Sequence, residues 1–294
     1  MDFGRLLTAM VTPFDQTGAI DYQQTVQLIE HLLQNGSDGL VVNGTTGESP
    51  TLSTKEKLNF LSFVVKHVNG RVPIIAGTGT NNTQASVELT QQAEAIGVDG
   101  IMLVTPYYNK PSQEGMYQHF TTIAQATKLP VILYSIPGRS VVKLDVATVV
   151  RLSQQKNIVA IKDATGDLDA ITRIIKQTPS DFHLYSGDDN LLLPILAVGG
   201  HGIISVTSHV AGNQMQALIQ AFLSGNVTKA QQLHHELAPL VKAMFIAPNP
   251  APVKEALKLS NIPVGSVRLP LIPLDEKELA YLKDALNHLK TLDD

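Results

Sequence analysis

The 294-residue chain contains no cysteine, which removes disulfides, thiolate nucleophiles and cysteine-ligated zinc or iron–sulfur centres together. Any metal would have to be held by histidines or carboxylates. Tryptophan is absent too, and charged residues make up only 16% of the chain. With Lys+Arg 22 against Asp+Glu 26, the formal net charge is -4 and the basic residues are scattered. Such a balance offers no footprint for nucleic acid or a membrane surface. No apolar run reaches the roughly 18 residues of a transmembrane span. The opening Met1-Asp2-Phe3 lacks the basic stretch and apolar segment of a secretory signal. The expectation is a cytoplasmic protein that acts on small molecules.

Hydrophobic residues reach 44%, enough to exclude intrinsic disorder and to build a large core. One pattern recurs eight times: a short apolar run, a polar or glycine-containing junction, then a longer segment with apolar residues three and four apart. The runs cover 6–12, 39–43, 73–78, 100–106, 130–136, 158–163, 182–187 and 202–207. Each predicts a strand buried on both faces. Intervening segments such as 21–33, 54–68, 83–96 and 168–177 predict amphipathic helices. Eight strand–helix units imply parallel strands with right-handed crossovers, and they suit a closed (β/α)8 TIM barrel better than an open sheet. The barrel is expected over 1–226. A C-terminal helical region is expected over 227–294, with helices at 228–245, 251–260 and 275–289 divided by Pro248, Pro250, Pro263 and Pro270.

A barrel of this kind carries its site where the strands end, so the polar residues closing each run are the candidates. Lys162 interrupts the apolar run Ile158-Val159-Ala160-Ile161. Burial disfavours the ammonium, and the cation of Arg139 would push the same way, so the amine pKa can fall from about 10.4 to roughly the 7 or 8 of a nucleophile. The alternative is an ion pair with Asp163, which the opposite facing of adjacent strand residues argues against. Tyr134 falls at a similar height on the preceding strand. Its phenol can relay protons, or it can be an aromatic of a barrel layer. Gly44-Thr45-Thr46-Gly47-Glu48 follows a strand and suits an anion held by N–H groups and hydroxyls, although a plain loop reads the same way. Arg139 can grip a carboxylate with its guanidinium fork, or simply be solvated.

Gly77-Thr78-Gly79 lacks the third glycine of a dinucleotide fingerprint, so no NAD site is assigned and no cofactor is expected. The nine histidines make no set with metal-ligand spacing, so no metal is expected either. Asp188-Asp189 can hold a cation or favour a helix dipole.

Several motifs together resemble the dihydrodipicolinate synthase family, within the superfamily of Schiff-base-forming pyruvate aldolases and N-acetylneuraminate lyases. They are Gly44-Thr45-Thr46-Gly47-Glu48-Ser49, Thr105-Pro106-Tyr107-Tyr108-Asn109, Tyr134-Ser135-Ile136-Pro137-Gly138-Arg139 and Lys162-Asp163. The likeness runs from Thr8-Ala9-Met10-Val11-Thr12-Pro13-Phe14 to Pro248-Asn249-Pro250 and Arg268-Leu269-Pro270. It implies that Lys162 forms an imine with pyruvate, whose enamine adds to aspartate semialdehyde to give 4-hydroxy-tetrahydrodipicolinate on the diaminopimelate route to lysine. It further implies that Thr45, Tyr134 and Tyr108 relay protons, with Tyr108 lent by a neighbouring subunit of a homotetramer, a dimer of dimers. Thr45 and Thr46 then cradle the pyruvate carboxylate, Arg139 receives the semialdehyde carboxylate, and Gly187 and Ile204 are backbone positions around the imine. Ser135 and Ser140-Val141 depart from the family's usual Asn and Thr-Gly. Thr54, Lys57 and Ala85 replace the usual histidines and glutamate of a lysine-feedback pocket, so weak or absent inhibition by lysine is expected. The alternative within the fold is an N-acetylneuraminate lyase or another 2-keto-acid aldolase, which would usually carry Ser-Thr in the loop and lack the arginine. A catalytically silent barrel is the alternative of another class.

Overall fold

The computed structural model describes residues 2–290. Eight strands, β1 Leu6–Ala9, β2 Gly39–Val42, β3 Ile74–Gly77, β4 Gly100–Val104, β5 Val131–Ser135, β6 Ile158–Asp163, β7 His183–Ser186 and β8 Gly202–Ser205, pair in parallel in sequence order. Because β8 pairs back onto β1, the sheet closes into a barrel ringed by helices. The expected TIM barrel is the observed fold. The anticipated runs are longer than several strands; β1 stops at Ala9, beyond which Phe14 donates its N–H to Val264 O at 3.1 Å.

Alternation along the strands separates two apolar sets. The inward set includes Leu7, Val41, Met102, Ile132, Tyr134, Ala160, Tyr185 and Ile204. Residues pointing outward, such as Leu6, Leu40, Leu103 and Ile161, join the helices in the second, larger core. The end of the barrel where the strands begin is stoppered. Phe3 is buried there, packed so closely that a side-chain carbon on Gly100 would lie 2.7 Å from its ring. Beside it the Tyr185 hydroxyl donates to Gly4 O at 2.9 Å.

After the barrel come the helices Val227–Ala243, Ala251–Leu259 and Glu276–Lys290, close to the expected spans; positions 291–294 of the expected helical region lie outside the described residues, as does Met1. Leu237, Leu240 and Val241 share one core with Met215 and Leu218 of the preceding helix Ser208–Leu223. Among the described residues no helix is long and apolar enough to cross a membrane.

Candidate active site

Register and alternation place the central pair. Ala160 faces the barrel interior, so Lys162, two residues on, faces it too. Tyr134 pairs with Lys162 across β5 and β6, and Tyr185 pairs with it across β6 and β7. The ammonium nitrogen of Lys162 stands 4.3 Å from the centre of the Tyr134 ring. Both side chains are buried, Lys162 at 5% exposure. Asp163 points the other way, its carboxylate accepting from the Thr165 N–H at 2.9 Å and hydroxyl at 2.6 Å. The alternative of a Lys162–Asp163 pair is therefore not what forms.

Burial is the main influence on Lys162, lowering its pKa from 10.5 to about 8. The negative charges of Asp189 and Asp188 oppose the shift and Arg139 adds to it. An amine at that value is part free base at neutral pH, while a freely solvated lysine is almost wholly protonated. Burial likewise raises the Tyr134 phenol above its ordinary value, Arg139 lowers it, Asp188 raises it, and a hydrogen bond from Thr45 favours the phenolate. Tyr134 is thus a neutral phenol, linked to one hydroxyl and lying beside an amine.

Asp189 is buried, and its carboxylate accepts the Ser205 hydroxyl, the Val206 N–H at 3.2 Å and the Thr207 N–H at 3.4 Å. Burial raises the Asp189 pKa and these bonds oppose the rise; they also tie β8 to the loop after β7, close to Lys162. Gly187 closes one side of the lysine: a Cβ there would come within 3.2 Å of Lys162 Cε and 2.7 Å of Ala164 Cβ. Ile204 is fully buried on the inward face of β8, in the same cluster as Tyr134.

A cavity of about 390 Å³ opens above this layer, with Gly44, Thr45, Tyr107, Tyr134, Ile136 and Arg139 among its walls. Lys162 stands next to the ring of Tyr134, which forms part of that wall. Thr46 is buried, and its hydroxyl accepts from Asn249 Nδ2 at 3.0 Å. Arg139, in the short helix Pro137–Ser140 after β5, donates to Asn249 O at 3.4 Å. Lys57 also lines the cavity, and desolvation lowers its pKa. A larger cavity of about 490 Å³, beyond Asp188 and Asp189, reaches none of Thr45, Tyr134 or Arg139.

Tyr108 is not brought to this group. It is 88% exposed, on a backbone with φ of 71°. The loop holding it is ordered by bonds from Asn81 Nδ2 to Tyr107 O at 3.1 Å and from Asn109 Nδ2 to Asn81 O at 2.9 Å. Asn249 has no assigned role in the reading of the sequence, although its Pro-Asn-Pro setting is conspicuous there; its contacts span 203 residues to Thr46 and 110 to Arg139.

Asp2, His183 and His201 bring three ligand-type atoms within 4.8 Å of one another at the opposite end of the barrel from Lys162. The two imidazoles stack 3.8 Å apart and 8° from parallel. Their in-plane lone pairs therefore run side by side and do not converge, while His201 Nε2 pairs with Asp2 Oδ1 at 3.1 Å. Asp189 is bonded to the backbone after β8, and both Asp188 and Asp189 lie within electrostatic reach of Lys162.

A buried amine beside a phenol and a hydroxyl-bearing loop makes up the candidate site, and comparisons with known proteins give the family. The profile of the Dihydrodipicolinate synthetase family matches residues 2–289. The 4-hydroxy-tetrahydrodipicolinate synthase of Bacillus velezensis is 58% identical over 289 residues, covering 98% of this chain and 100% of that protein. The enzyme of the same name from Bacillus subtilis is 58% identical over 290 residues, with the same coverage. A crystal structure of a dihydrodipicolinate synthase from Bacillus anthracis superposes with a TM-score of 0.96 at 56% identity, covering 98% of both chains. By profile, sequence and fold alike, the chain belongs to the dihydrodipicolinate synthetase family.

Proposed function

We propose that the chain condenses pyruvate with L-aspartate 4-semialdehyde to 4-hydroxy-tetrahydrodipicolinate in lysine biosynthesis, through a Schiff base on Lys162. The observation that carries this reading is the buried amine at a pKa of about 8, register-paired with Tyr134. The free amine attacks the pyruvate ketone, and the resulting carbinolamine loses water to give the imine. Removal of a methyl proton gives the enamine, whose carbon bonds to the aldehyde carbon; the alkoxide so formed takes up a proton. The substrate's own amino group then attacks the imine carbon, closing the ring and releasing Lys162 as an amine.

Tyr134 and Thr45 serve as the proton path in these steps, completed by Tyr108 of the partner subunit. Support for the last assignment is that Tyr108 is exposed on a loop tied down by Asn81 and Asn109, while its neighbour Tyr107 lines the cavity and Tyr108 does not. Thr46 binds the pyruvate carboxylate, and Arg139 receives the carboxylate of the semialdehyde by charge-assisted hydrogen bonds. Gly187 leaves room beside the lysine chain, and Ile204 supplies an apolar wall. The assembly in this reading is a cytoplasmic homotetramer of two dimers.

Borohydride added with pyruvate is expected to fix a reduced pyruvyl mass on the peptide containing Lys162, and Lys162→Ala to abolish it. An adduct on another lysine, or turnover persisting in the variant, would overturn the assignment. Replacing Tyr134 by Phe should slow turnover by roughly 100-fold, the scale of a lost acid–base group. Faster turnover of N-acetylneuraminate than of the pyruvate–semialdehyde pair would overturn the choice of substrate.

A further inference from the structure

Lys254 is a second buried lysine, in the helix Ala251–Leu259 of the C-terminal region, and it is 2% exposed. Its ammonium lies 2.7 Å from Glu48 Oε1 and donates to Ser266 O at 2.8 Å. The same nitrogen stands 4.1 Å from the centre of the Phe14 ring, which Arg268 covers at 4.3 Å. The other carboxylate oxygen of Glu48 accepts the Arg268 N–H at 2.9 Å. This amine lines neither of the cavities described above, its ammonium being taken up by Glu48 and the Ser266 carbonyl.

Glu48 ends the Gly44-Thr45-Thr46-Gly47 turn, and its backbone is left-handed, with φ of 55°. Its N–H donates to Thr45 O at 3.0 Å, and the next N–H, of Ser49, donates to Gly44 O at 3.3 Å. Thr12 Oγ1 donates to Gly47 O at 2.7 Å from the other side. A non-glycine residue in that backbone region persists only where its surroundings hold it. A buried ion pair is a costly way to gain stability and is better suited to fixing one conformation. The geometry points to Lys254 as a positioning residue for the condensation reaction: acting through Glu48, it holds the turn so that Thr45 reaches Tyr134 and Thr46 meets the keto-acid carboxylate. This inference rests on the function proposed above.

Kinetics with varied pyruvate test it on the full-length enzyme. Lys254→Met alone strands the Glu48 charge and can unfold the chain, so the informative variant is Glu48→Gln with Lys254→Met, which removes both charges while keeping much of the shape. The expected result is a KM for pyruvate raised about tenfold or more, the scale of a lost charge-assisted bond, while the KM for the semialdehyde stays within about threefold and the Lys162 borohydride adduct still forms at saturating pyruvate. Lys254→Arg, which keeps the charge, should restore most of the affinity. A folded double variant with wild-type KM for pyruvate, or an equal loss in Lys254→Arg, would overturn the positioning role alone. If the wild-type enzyme traps no pyruvate, the proposed function falls and this inference with it.

Discussion

The amine of Lys162 stands well below an ordinary lysine, and its pH dependence follows from its surroundings. The nucleophile is the free base, so with pyruvate below saturation the rate of imine formation should rise about tenfold per pH unit and level off near pH 8, the value at which burial sets this lysine. A profile still climbing toward pH 10 would mean that the amine is hydrated. The same shift has a stability counterpart. Between about pH 8 and 10.5 the unfolded chain holds a proton on Lys162 that the folded chain has lost, so stability rises with pH across that window. Lys162→Met removes the penalty of burying the charged form. It should raise Tm at pH 7 by several degrees, with an advantage that shrinks from pH 8 to 10.5. Lys162 is legible in the sequence because it breaks an apolar strand. Lys254 and Asn249 are not, because their meaning comes from contacts with Glu48 and Thr46 some 200 residues away.

The helices announce themselves in the sequence by apolar spacing, and the structure adds their caps. Thr54–Val68 begins with a reciprocal pair of bonds: the Ser53 hydroxyl accepts the Glu56 N–H at 3.2 Å, and the Glu56 carboxylate accepts the Ser53 N–H at 2.9 Å. Ser53→Ala should cost about 1 kcal/mol, read as a Tm lower by roughly 2–4 °C with the pyruvate adduct unchanged. Glu56 also meets Arg268 at 2.6 Å, and chiefly that bond holds its carboxyl at about 2. The cap thus survives acidification well below the usual carboxylate range. Strand existence is readable from eight β-branched runs, yet strand ends are not: positions 10–12 remain buried beyond the end of β1, with Met10 still donating its N–H to Val41 O at 3.0 Å and Thr12 turned to Gly47 O. The helix Pro137–Ser140, which presents Arg139, spans 4 residues, too few for any periodicity to register.

At the scale of the molecule, eight repeated units specify a closed barrel because parallel strands with right-handed crossovers have few other ways to bury both faces. What eight units leave unspecified is how copies meet, and the proposed loan of Tyr108 makes activity a property of the pair. Two inactive variants, Lys162→Ala and Tyr108→Phe, should therefore complement each other when co-expressed. Random pairing makes half the dimers mixed, each with one complete site, so about a quarter of wild-type activity should return. No recovery would mean that each chain works with its own tyrosine. The stopper of Phe3 and Tyr185 has a kinetic consequence of its own. With one end plugged, reactants reach Lys162 from the strand-end side of the barrel alone. The water lost on imine formation leaves by the doorway through which the aldehyde arrives, and because pyruvate stays covalently on Lys162 between that loss and the second addition, double-reciprocal plots should run parallel; intersecting lines would mean that the aldehyde binds before the imine forms.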